Sequence, residues 1–256
     1  MSVIQAILLG ILQGLTEFLP VSSSGHLIVF RSFLGIEGPM LSFDIILHVG
    51  TLFAVIAVFG KDIWSLIRHP FRREVAALIV ATIPVVVVGV FFSDLITGVF
   101  STTLSVGIAL IFTGILMFVS DRFYGQRTMK NLSMGNALVV GIFQGLAVIP
   151  GLSRSGSTIF GALLCGMNRK QAAKFSFLLS VIAILGAAGK QSLDIIQETG
   201  GLVLEPIYFI GMVAAAVSGF FAIKFFLRLL EKSSMKFFAF YCWLFAAVTL
   251  IWTFAG

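Results

Sequence analysis

Two stretches, GILQGLTEFLPVSSSG (residues 10–25) and GIFQGLAVIPGLSRSG (residues 141–156), align without a gap at a separation of 131 residues and are identical at 8 of 16 positions. Each lies inside an apolar region and breaks it with proline, glycine and a serine cluster. Neither side of the break is long enough to cross a hydrocarbon core, which takes about 20 helical residues. Irregular backbone at membrane depth is tolerated only where protein or a wet cavity surrounds it. Residues 2–35 and 132–168 are therefore expected to form re-entrant hairpins, each a helix that enters, turns and leaves on the same side.

The rest of the chain supplies the membrane context. Of 256 residues 59% are hydrophobic and only 11% charged, against about 25% charged in an ordinary soluble domain. Mean hydropathy is +1.09. Uninterrupted apolar runs at 43–60, 75–92, 103–120, 175–192, 207–227 and 237–254 predict six transmembrane helices. They recur too often to be a cleaved leader, and no soluble domain fits between them. Cys165 and Cys242 lie in apolar helical stretches without metal-ligand spacing and predict packed thiols, not a disulfide.

Charge placement tests this topology. If the two broken regions do not cross, then 61–74, 121–130, 168–174 and 224–236 share one face and carry 14 of the 17 Lys and Arg residues. The other face receives Arg31 and Lys190 with Glu37, Asp44, Asp94, Asp194, Glu198 and Glu205. The positive-inside rule makes the basic face cytoplasmic and puts both termini outside. The net charge of +6 thus marks topology, and no nucleic-acid partner is implied. A weaker echo between FDIILHVGTLFAVIA from Phe43 and FSFLLSVIAILGAAG from Phe175 extends the repeat. One hairpin plus three crossings per copy (about 1–125 and 132–256) inverts the second copy, an architecture that places its site at the repeat interface near mid-membrane. The expected fold is an all-α polytopic membrane protein with six transmembrane helices and two re-entrant helical hairpins in an inverted-topology repeat.

Once the basic loops are set aside, two formal charges remain at membrane depth, Glu17 and Arg154, and an intramembrane charge points to function. Gln13 and Glu17, four apart on one helix face, can offer oxygens to Mg²⁺ or Ca²⁺. Beyond Pro20, residues Ser22, Ser23, Ser24 and Gly25 provide caps and free backbone N–H groups at a helix start, a site for phosphate. His26 follows in the first helical turn and can act as nucleophile or as acid and base; His48 reads as structural. In the second turn Arg154 replaces the serine aligned with it, Ser23. With the hydroxyls of Ser153, Ser155 and Thr158 it makes a phosphate clamp. The expected ligand is a phosphate of two or three negative charges.

These residues resemble a known family. QGLTE matches the Gln/Glu-x-x-x-Glu motif and PGLSRSGST (residues 150–158) the Pro-Gly-x-Ser-Arg-Ser-x-x-Thr motif of the BacA-type undecaprenyl-diphosphatases, and LPVSSSGH and the chain length agree. The resemblance implies hydrolysis of undecaprenyl diphosphate to undecaprenyl phosphate and inorganic phosphate. That reaction recycles the lipid carrier of bacterial cell-wall synthesis and confers bacitracin tolerance. It further implies divalent-metal dependence, a prenyl diphosphate lipid as partner, and an active site open to the outer face of the cytoplasmic membrane. It makes Glu17 the essential acid, puts Ser23 and His26 on the reacting arm, and assigns Ser153, Arg154 and Thr158 to the phosphate loop. Gln13 stands where the family also uses Glu, leaving Glu17 the one charged ligand of that motif. Either His26 attacks phosphorus, or Ser23 does with His26 as its base; the residues alone leave both open. A transporter or flippase of an anionic prenyl lipid is the alternative in another class, and a homodimer is among the open states of assembly.

Overall fold

A computed structural model describes residues 1–36, 40–199, 201, 204–232 and 234–255. Glu37, one of the outer-face acids, lies outside them, as do the side chains of Asp94 and Glu198. Every regular element among the described residues is helical: α1 (Val3–Phe18), α2 (Ser23–Phe33), α3 (Leu41–Arg68), α4 (Arg73–Phe91), α5 (Ser93–Phe100), α6 (Thr103–Ser120), a 3-10 turn (Met129–Asn131), α7 (Met134–Leu146), α8 (Arg154–Leu164), α9 (Arg169–Thr199), α10 (Pro206–Lys232) and α11 (Lys236–Ala255). Six of them, α3, α4, α6, α9, α10 and α11, are long and apolar enough to cross a membrane.

Several run past the apolar limits expected from sequence. The helix expected at 43–60 is Leu41–Arg68 and that at 175–192 is Arg169–Thr199. Lys, Arg, Gln, Leu and Ala in these extensions are good enough helix formers to carry the backbone ladder beyond the hydrocarbon. The eight residues of α5 were not anticipated, because an apolar segment of that length carries no distinctive period.

Both broken regions appear as pairs of short helices. Helix α1 opens on a Ser2–Gln5 capping box and ends at extended Leu19, just before Pro20. Ser22 and Ser153 cap α2 and α8, each hydroxyl accepting the backbone N–H three residues on.

The glycines of the repeated QG motif decide how the halves join. A Cβ on Gly10 or Gly14 would fall 2.3 Å from the Gly211 carbonyl or 2.0 Å from Ser218 Oγ, so α1 lies backbone to backbone on α10. Of their repeat mates, Gly141 does the same in the other half, where a Cβ would fall 2.6 Å from the Ala81 carbonyl and α7 is seated on α4, while Gly145 has more room, with the Pro84 carbonyl 3.3 Å away. Small residues permit such crossings where lipid gives no hydrophobic drive for association. Helix α10 also packs on α3, and α4 on α9. Each half thus uses its broken helix to grip a long helix of the other.

Candidate active site

The two serine-rich turns meet in the interior. Ser155 Oγ donates to the Leu19 carbonyl at 2.9 Å, and α6 secures the second turn through Thr113, whose hydroxyl donates to the Gly151 carbonyl and accepts Ser153 N–H. Gly151 has φ +94° and packs on Val106 and Ala109, so both conformation and space require glycine.

Glu17, on the last turn of α1 and 6% exposed, is the centre of the meeting. Arg154 at the start of α8 donates Nη2 to its Oε1. Ser23 at the start of α2 donates Oγ to its Oε2 at 2.5 Å, and Gln13 Nε2 reaches the same oxygen at 3.0 Å. His48 places Nε2 3.8 Å from Oε2. The His48 Nδ1 donates to the Asp44 carbonyl at 2.8 Å, which turns Nε2 toward the carboxylate. Asp44 pairs with Arg31, tying the end of α2 to the start of α3.

These groups open on a cavity of about 310 Å³ lined by Glu17, Ser23, Ser24, His48, Gln144 and Arg154, with an apolar wall from α4, α9 and the Ala147–Leu152 turn. Three polar atoms at or beside it are buried without a partner: Arg154 Nη1, Gln144 Oε1 and Gln13 Oε1. A buried donor left open on an arginine is costly unless a ligand completes it. Its chemistry selects an anion.

The other expected site residues are engaged elsewhere. Ser22 Oγ accepts Gly25 N–H. Ser153 Oγ accepts Gly156 N–H, and Ser155 links the turns. Thr158 donates to the Arg154 carbonyl and touches Ser176 Oγ at 2.6 Å. None of these four lines the cavity. His26 is 1% exposed and also outside the cavity lining. Its Nδ1 faces the Ser22 carbonyl and its Nε2 the Tyr241 hydroxyl, both at 2.8 Å.

Sequence reasoning read His48 as structural, and the structure sets it beside Glu17. Gln144 and Tyr241 were not singled out. Gln144 carried a signal, since it is the repeat mate of Gln13; Tyr241 carried none, being one aromatic in an apolar helix.

The chain is 40% identical to an undecaprenyl-diphosphatase of Carboxydothermus hydrogenoformans, with 100% of this chain and 99% of the relative covered. It is 40% identical to one of Alkaliphilus metalliredigens over 99% of both chains, and 42% identical to one of Methanobrevibacter smithii over 95% of both. The family model described as bacitracin resistance protein BacA matches residues 6–248, a span that includes both turns, Glu17 and Arg154, and the chain belongs to that family.

Proposed function

We infer that this chain is a membrane phosphatase that hydrolyses undecaprenyl diphosphate to undecaprenyl phosphate and inorganic phosphate, the activity for which its relatives are named. The observation that carries the mechanism is the 2.5 Å hydrogen bond from Ser23 Oγ to Glu17 Oε2, beside an arginine whose Nη1 has no partner. Ser23 has an acceptor for its proton and Arg154 a donor for a phosphate oxygen.

Ser23 Oγ attacks the terminal phosphorus while its proton passes to Glu17. The Oγ–P bond forms and the bond from phosphorus to the bridging oxygen breaks, releasing the lipid monophosphate. Water then attacks the phosphoserine, delivering inorganic phosphate and returning the proton to Oγ. Positioning and preorganised donors carry this class of reaction. Here they are Arg154 and the first N–H groups of α2, which precede the capped Gly25 N–H. His26 is the weaker nucleophile candidate, because both ring nitrogens are occupied away from the cavity.

The oxygens of Gln13 and Glu17 suit a hard divalent cation, Mg²⁺ or Ca²⁺, because Gln13 Oε1 is fully buried with no partner while its amide nitrogen holds Glu17. When bound, such an ion supplies charge neutralisation to the phosphate oxygens.

In the bacterial cytoplasmic membrane the two short-helix pairs act as re-entrant hairpins and the halves as inverted repeats, with both termini outside. The exchange of partners between α1 on α10 and α7 on α4 supports the repeat. The cavity takes Ile45 and His48 from the start of α3, Val85 from late in α4, and from α9 Ala183 and Ile184 at mid-helix with Ala187, Ala188 and Gln191 beyond them. Apart from that mid-helix pair, these residues lie nearer the helix ends opposite the basic loops, which supports an outward opening where extracellular diphosphate lipid is met.

The test is phosphate release from a prenyl diphosphate by pure detergent-solubilised protein. Release that Ser23→Ala abolishes is the expected result. A folded parent that moves the lipid across liposomes without releasing phosphate would be a transporter.

A further inference from the structure

Helix α11 grips the reacting turn at two points. Cys242 Sγ lies 3.5 Å from the Pro20 carbonyl as an S–H donor. One residue earlier, the Tyr241 hydroxyl meets His26 Nε2 at 2.8 Å, and Phe245 stacks on the same imidazole with ring centroids 4.0 Å apart and planes within 5°. On its other side, His26 Nδ1 meets the Ser22 carbonyl at 2.8 Å. A carbonyl only accepts, so Nδ1 carries the proton. In the neutral ring Nε2 is then an acceptor, and Tyr241 donates to it.

Ser22 is also the one non-glycine among the described residues with positive φ, at φ 69° and ψ 94°. A side-chain-bearing residue in that region persists only when its surroundings over-determine it. The over-determination is visible: the Ser22 carbonyl accepts from His26 Nδ1, and its hydroxyl accepts from Gly25 N–H. The next residue is Ser23, whose hydroxyl must face Glu17.

We propose that Tyr241 is a positioning residue for this reaction, acting through His26: its hydroxyl holds the imidazole in the Nδ1–H form, and the imidazole clamps the strained Ser22 carbonyl so that Ser23 points at Glu17. This rests on the reading of Ser23 as nucleophile. His26 is then a strut and takes no part in bond making.

A strut and a nucleophile respond differently to isosteric replacement. Asn carries an amide N–H near the Nδ1 position and can still donate to Ser22, whereas Gln puts its amide near Nε2. Phosphate release is measured for the full-length protein in detergent, with thermal unfolding followed in parallel. His26→Asn is expected to keep kcat within about tenfold of the parent, and His26→Gln to fall by about a hundredfold. Tyr241→Phe is expected to lower kcat by about tenfold with KM within about twofold, and to have no further effect in a His26→Asn background, where the Nε2 acceptor is gone. Folded His26→Asn as inactive as His26→Gln would overturn the strut, as would a Tyr241→Phe loss of equal size in both backgrounds.

Nitrogen NMR of protein labelled at its three histidines gives a readout independent of turnover. His26 is expected as the Nδ1–H tautomer, with Nε2 shifted in Tyr241→Phe. If the folded parent releases no phosphate while this tautomer is observed, the phosphatase reading fails and the clamp stands. An Nε2–H tautomer in the parent sinks the clamp whatever the activity.

Discussion

Ser23 and Arg154 occupy the same position of the internal repeat, 131 residues apart, and hold opposite oxygens of a single carboxylate, Glu17. Each is the first residue of its short helix. One copy of the sequence repeat has a hydroxyl at that position and the other a guanidinium, so the two copies bring unlike groups to one carboxylate. The carboxylate itself has no mate, because the position 131 residues after Glu17 is Val148.

Removing either end of the Ser23–Glu17 pair is expected to stop turnover. Ser23→Ala loses the attacking oxygen and Glu17→Gln the proton acceptor. Each is expected to lower kcat by at least about a thousandfold with the fold intact. Single-turnover assays with labelled terminal phosphate are expected to trap label on the parent and none on Ser23→Ala. Parental rates in Ser23→Ala would rule out the serine route.

Arg154 is expected to affect stability as well as binding. Arg154→Ala leaves the nearly buried Glu17 carboxylate without its cation, a loss of about 3–5 kcal/mol. The double variant Glu17→Gln, Arg154→Ala removes both charges and is expected to unfold at a higher temperature than Arg154→Ala alone. Arg154→Lys keeps the charge without the planar fork, so it should unfold near the parent while raising KM. Equal unfolding temperatures for Arg154→Ala and the double variant would contradict the pairing.

Chelation of divalent cations is expected to abolish phosphate release, and Mg²⁺ or Ca²⁺ to restore it. Gln13→Glu adds a carboxylate four residues before Glu17 and is expected to lower the half-saturating metal concentration by about tenfold. Calorimetric titration with the metal alone checks binding apart from turnover. Undiminished activity after exhaustive chelation would remove the ion from the reaction.

The tight glycine seam between α1 and α10 is expected to be structural. Gly14→Leu drives a side chain into Ser218 and the Ala215 carbonyl of α10, and the crossing must open. A loss of several kcal/mol is expected, read as loss of folded yield in detergent. Gly135→Leu, where nothing lies within 4 Å of an added Cβ, is the control and is expected to express normally.

Orientation has its own readout. Native Cys165 and Cys242 are buried and are expected to stay unlabelled. Cysteine at exposed Ser101 is expected to react with an impermeant reagent added outside intact cells, and cysteine at exposed Lys130 only after permeabilisation. The reverse pattern would turn the molecule over.

The six long helices were legible because hydrocarbon thickness imposes a length and a composition on any crossing. The breaks were legible too, since proline, glycine and a serine cluster together favour a turn and a new helix cap, whereas the lone Pro84 is carried inside α4. The hydroxyls were harder. Ser22, Ser153, Ser155 and Thr158 stand in the same two turns as the cavity-lining Ser23 and Ser24, but a cap, a link between turns and a cavity wall differ only in where the hydroxyl points.

The sequence by itself determined an all-helical membrane chain with two broken apolar regions, and it marked Glu17 and Arg154 as the two charges at membrane depth. Burial cost and helix length depend on local composition, and local composition is what a sequence records. Only the tertiary structure decided that Glu17 receives Ser23, that His26 turns away to Tyr241, and that His48 and Gln144 face the cavity. Those choices depend on contacts between residues as far apart as His26 and Tyr241, which arise only when packed helices fix the direction of each side chain.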